Sequence, residues 1–66
     1  MYNIGDLIVI KDKYRPDYNV IYVLIKCLNA NINTWVCYDI AKQISPEITL
    51  STIGYGFLVE RIWNRV

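Results

Sequence analysis

Any chemistry in this chain would have to be done without histidine. The sequence has none, and its acidic residues are Asp6, Asp12, Asp17, Asp39, Glu47 and Glu60. Most of these stand at turns or at strand ends, where a carboxylate satisfies backbone donors. General acid–base catalysis needs groups placed within hydrogen-bond reach of one substrate, and no spacing here suggests such a pair. The thiols are Cys27 and Cys37. Structural zinc takes four ligands, so two thiols alone do not make a metal site. Cys37 beside Lys26 could in principle carry a lowered pKa. The plainer expectation is a buried thiol next to a lysine whose stem lies along apolar surface. No catalytic residue, metal or cofactor is expected, and the chain does not read as an enzyme.

Binding is better represented than catalysis. Six tyrosines and two tryptophans are a large aromatic load for 66 residues. Aromatic residues are enriched at interfaces. Lys11, Lys13 and Arg15 cluster with Tyr14 and Tyr18 in one stretch. Three readings of that stretch stay open. It is a solvated loop whose tyrosines pack on the domain, a protein-binding surface, or a contact for single-stranded nucleic acid that stacks bases on aromatics. Arg61 and Arg65 could extend the basic character, while Asp12, Asp17 and Glu60 weaken it. The formal net charge of +1 makes no case for nucleic acid by itself.

These residues must be positioned by strands. Residues 20–41 hold two β-rich runs, VIYVLIKCLN and TWVCYDIA, joined by an asparagine-rich segment. β-Branched and aromatic side chains suit a pleated surface, and asparagine suits the turn between them. Alternate residues share a face. Taking Lys26 and Asp39 as markers of the outer face pairs Cys27 with Val36. The expected core face is then Ile21, Val23, Ile25, Cys27, Val36, Tyr38 and Ile40. The outer face keeps Tyr22, Leu24, Leu28, Trp35 and Cys37, and Lys26 and Asp39 are diagonal neighbours on it. The two thiols point to opposite faces, which argues against a disulfide. The apolar group on the outer face is either covered by the C-terminal segment or exposed as an association site.

Before the hairpin, Gly5-Asp6 signals a turn, and residues 6–11 read as a strand with Ile8 and Ile10 on one face. Residues 12–19, with Pro16, read as a long loop. After the hairpin, residues 42–47 read as a linker. Residues 48–53 alternate as a short strand, and residues 54–56 form a glycine turn. Residues 57–66 fit either a strand or a short helix. The expectation is a single domain, residues 1–66, all-β, built as a small five-stranded antiparallel barrel whose last segment is strand or helix.

The opening Ile4-Gly5-Asp6-Leu7-Ile8-Val9-Ile10 resembles the start of SH3-like barrels of the KOW and related types. The resemblance spans the fold pattern of roughly the first two-thirds of the chain. The loop glycines of the KOW type are absent, so the nucleic-acid function of those domains is not implied. Size and the asparagine- and isoleucine-rich composition are also similar to those of small accessory proteins of phages and mobile elements. The N-terminus lacks a signal-peptide pattern, and no apolar run is long enough to span a bilayer. A cytoplasmic chain without a membrane partner is therefore expected. The functional expectation is a non-catalytic protein-binding module, a small regulator or inhibitor that docks on a larger intracellular protein. A homodimer is possible on the same surface. The alternative is a nucleic-acid-binding small β-barrel. The expected binding surface is Trp35, Tyr22 and Leu24, with Tyr14, Arg15 and Tyr18 at its rim.

Overall fold

Five strands follow in chain order: β1 (Leu7–Asp12), β2 (Arg15–Asn29), β3 (Thr34–Asp39), β4 (Glu47–Thr49) and β5 (Phe57–Trp63). A single 3-10 turn, Leu50–Thr52, follows β4. The computed structural model describes residues 2–52 and 56–64. The expected roles of Ile53, Gly54, Tyr55 and Arg65 lie outside the described residues. All pairings are antiparallel, and the strand order is β4-β3-β2-β1-β5. The last strand returns beside the first, but the ring of hydrogen bonds stays open, with β4 and β5 as its edges. The C-terminal segment is a strand, as its aromatic and β-branched content favours.

The sheet is curled. A single flat layer would be on the order of 10 Å thick, whereas the smallest extent of the molecule is 22 Å. Curling lets one face serve as the interior of every strand. Ile8, Leu24, Trp35, Cys37 and Leu50 form the buried cluster, with Tyr2, Tyr22, Cys27, Ile48 and Val59 packed against it.

That cluster corrects the expected core face. Leu24 and Cys37 are fully buried and Trp35 is buried, whereas Ile21, Ile25 and Ile40 are exposed. Leu24, Cys37 and Asp39 share a face in the expected register and in the observed one. That face turns inward because neither of its charges marks the surface: a bulge takes Lys26 off it, and Asp39 is buried. β2 meets β3 as Leu24↔Cys37 and then Lys26↔Val36, with Ile25 as an extra residue in the ladder. Such a bulge interrupts the alternation of faces. Lys26 is thereby moved to the row of Val36, away from Cys37 and Asp39. Asp39, taken as an outward charge, is buried as a turn residue. The bulge also puts Cys27 opposite Trp35, on the same face as Cys37 rather than the opposite one. Both thiols are free.

The asparagines do make the β2–β3 turn. Asn29 Oδ1 accepts the Asn31 N–H at 3.0 Å, Asn33 takes a left-handed φ of 58°, and its Oδ1 accepts the indole N–H of Trp35 at 3.0 Å. Residues 12–19 are not a long loop. The turn is short, because Asp12 Oδ1 accepts the Tyr14 N–H, and β2 starts at Arg15. Pro16 is accommodated because the register with β1 jumps from Lys11↔Asn19 to Asp12↔Arg15. Residues 16–18 therefore have no ladder bond for proline to remove. The expected strand over 48–53 is shorter and gives way to the 3-10 turn at Leu50.

Candidate functional site

β2 and β3 do not run together to their ends. Their pairing starts at Tyr22↔Asp39, so residues 15–21 of β2 extend beyond it. β3 stops there because Asp39 turns the chain. Its Oδ1 accepts the Lys42 N–H at 3.1 Å. Its carbonyl accepts the Gln43 N–H, and its own N–H donates to the Ile44 carbonyl, both at 2.8 Å. Gln43 closes the turn at φ 57°. The projecting arm of β2 and this turn leave a cleft of about 430 Å³, walled by residues 17–21 on one side and 39–42 on the other. That volume lies within the range of ligand pockets, ~300–1,000 Å³. Tyr18, Ile21 and Ile40 present partly exposed apolar surface to it. Asp17 and Lys42 are exposed at its rim.

The arm is held from behind. The Lys13 N–H donates to the Gly56 carbonyl at 2.6 Å. The ring of Tyr14 lies so close to Gly56 that a Cβ there would stand 2.8 Å from Tyr14 Cε2. Tyr14 is nonetheless 82% exposed. Tyr18 meets Phe57 edge-on, with ring centroids 6.1 Å apart. Tyr14, Tyr18 and Phe57 thus gather at one end of the sheet.

Of the six expected binding residues, Arg15 and Tyr18 lie on this arm and Tyr14 in the turn before it, all exposed, and only Tyr18 lines the cleft. Leu24 is fully buried and Trp35 is buried, which corrects the expectation for them. Tyr22 is partly buried and packs against the core cluster. Burial, followed by the charges of Asp39, Tyr18 and Cys37, raises the phenol of Tyr22 above its ordinary value. Ile21 and Ile40, expected in the core, are exposed. The cleft follows from the unequal length of the two hairpin strands, 15 residues against 6, which residue type alone did not show.

The basic cluster is partly neutralised. Lys11 Nζ pairs with Glu60 at 3.0 Å, and Arg61 lies at 3.4 Å from the fully buried Asp6 carboxylate. Cys37 is no activated nucleophile, since burial raises its thiol from 9.0 to about 11. No cluster of three or more His, Cys, Asp or Glu suited to a metal ion occurs among the described residues. No helix among them is long and apolar enough to cross a membrane. Compared with protein-family models, curated proteins and solved structures, the chain matches none.

Proposed function

We propose that this chain is a non-catalytic protein-binding module, a small regulator or inhibitor that docks on a larger intracellular protein. The observation that carries the proposal is the cleft between the β2 arm and the Asp39 turn, with apolar walls at Tyr18, Ile21 and Ile40. Exposed aromatics on a held arm lose little conformational freedom when they bind, which favours them as interface anchors. The paired Lys11 and the neighbouring Asp12 and Asp17 weigh against a field suited to phosphate backbones. The proposed relation to small SH3-like domains draws support from the five antiparallel strands and the return of β5 to β1.

The test is selection of a displayed random-decapeptide library on the intact chain, followed by titration of the selected peptides. Binding is expected to weaken at least about tenfold in Tyr18→Ala, an effect of hot-spot size. A parallel titration with single-stranded DNA at two salt concentrations is expected to show no steep salt slope. No selected peptide, together with salt-sensitive DNA binding, would replace this function with nucleic-acid binding.

A further inference from the structure

The direction of the β2 backbone groups specifies how that cleft is filled. Leu24 donates its N–H to the Asp6 carbonyl at 3.0 Å and accepts the Gly5 N–H at 2.7 Å. Both of its polar groups therefore point to the β1 side. In an antiparallel ladder, residues alternate in the side to which they direct N–H and C=O. From Val23 to Asn19 the pairing with β1 runs without a register shift. Tyr22 and Val20 therefore also point to β1, while Val23, Ile21 and Asn19 point the other way. Val23 meets Tyr38 of β3 there. Asn19 meets no strand among the described residues, because β3 has already turned at Asp39. Tyr22 points to β1, so Tyr22↔Asp39 is a non-hydrogen-bonded pair, which sets the Ile21 carbonyl against the Ile40 N–H. The ladder ends there, and the Ile21 N–H and both polar groups of Asn19 face the cleft.

We propose that the cleft takes an extended peptide segment of the partner, which adds as a strand to β2 and continues the line that β3 abandons. This rests on the docking function proposed above and specifies its mode. Strand addition satisfies the N–H and C=O of Asn19 and the N–H of Ile21 through main-chain bonds, and pockets for alternate side chains supply specificity. The peptide's alternate apolar residues meet Tyr18, Ile21 and Ile40. Asp39 is buried in its turn, so the charges exposed at the walls are Asp17 and Lys42, one of each sign, and alternating apolar residues rather than net charge define the segment.

The probe is a fluorescein-labelled octapeptide of alternating valine and lysine, titrated into the intact chain by anisotropy, with amide hydrogen exchange read by NMR. Saturable binding is expected, with exchange at Asn19 and Ile21 slowed at least about tenfold and exchange at Val20 and Tyr22 unchanged. Asn19→Pro deletes a donor that faces the cleft and no bond to β1, so circular dichroism should stay unchanged. It is expected to weaken binding about tenfold, one hydrogen bond's worth, whereas Asn19→Ala changes it less than about twofold. Binding that protects neither Asn19 nor Ile21, or that ignores Asn19→Pro, overturns strand addition and leaves docking in place. Failure of the octapeptide, with cleft-directed peptides still selected from the library, overturns the strand chemistry alone. Failure of both overturns the docking function as well. Protection of Asn19 and Ile21 in the free chain at high concentration would assign the edge to a second copy instead.

Discussion

Leu24 and Ile25 are sequence neighbours of similar size in opposite surroundings. Leu24 is fully buried, and Ile25 is 47% exposed. Truncating a buried leucine removes its transfer energy and leaves a cavity. Leu24→Ala is therefore expected to cost about 2–5 kcal/mol in urea unfolding, and Ile25→Ala less than about 1 kcal/mol. Equal losses would mean that the faces of β2 are assigned the wrong way round. Cys37 makes a second prediction at this scale. Its folded pKa lies above the unfolded value because burial disfavours the thiolate. Below pH 9 both states keep the proton, so the thiol favours folding fully there. Between about 9 and 11 the unfolded chain loses the proton first, and stability falls as pH rises. The loss is on the order of 2 kcal/mol across that window. The raised phenol of Tyr22 acts in the same direction at higher pH. Cys37→Ser should flatten the part of the alkaline slope that belongs to the thiol. An unchanged slope in the serine variant would remove the thiol from the explanation.

Strands keep their side chains in register only while the ladder stays regular, and in β2 it does not. Register shifts flank Ile25 and Leu28. Near the turn, Asn29 still faces Thr34, and each bulge then changes the offset by one residue. The strands themselves were legible from residue type, and so was the asparagine turn. The hydrophobic face was not, because both faces of the hairpin are largely apolar and the extra residues leave no compositional mark. Lys26 and Asp39 misled for separate reasons: Lys26 was moved by the bulge, and Asp39 is buried to hold a turn. Of the expected binding residues only Tyr18 lines the cleft, and Tyr14 and Arg15 stand before it on the chain. The cleft's other wall depends on where β3 ends, and Asp39 looks alike as a surface carboxylate and as a turn cap. The arm itself offers a test. Gly56 sits at φ 88°, and a Cβ there would meet the Tyr14 ring. Gly56→Ala is expected to cost about 1–3 kcal/mol from backbone strain and overlap together. In Tyr14→Ala the overlap is gone, so the same change should cost about 1 kcal/mol less, and the remainder is the positive φ. Additive losses in this cycle would show that the ring does not rest on the glycine.

The whole molecule is a curled sheet whose ends must be tied, since its hydrogen-bond ring is open. Among the described residues, a buried tie joins the N-terminal turn to β5. Asp6 is fully buried, accepts the Asn3 N–H at 2.9 Å, and holds Arg61 from 55 residues away at 3.4 Å. The same guanidinium lies 5.9 Å from the centroid of the Tyr2 ring, a cation–π contact. The Asp6 carbonyl also accepts the Leu24 N–H, so this turn links β1, β2 and β5. A domain of this size has a stability of only roughly 3–10 kcal/mol. Removing one member of a buried pair strands the other's charge, at a cost of about 3–5 kcal/mol when both are dry. Arg61 is one-third exposed, so water still reaches it, and Asp6→Ala should cost nearer about 2–3 kcal/mol. Arg61→Met removes the guanidinium 3.4 Å from the buried carboxylate. The double variant should lose less than the two single losses together, because residues in contact couple. Trp63 is exposed and Trp35 is buried, so Trp63→Phe makes a background in which tryptophan fluorescence reports the core alone. In that background Asp6→Ala should shift the urea midpoint by the same amount in fluorescence and in circular dichroism. Two separate transitions would show that β5 unfolds apart from the core, and that the tie serves only the edge strand.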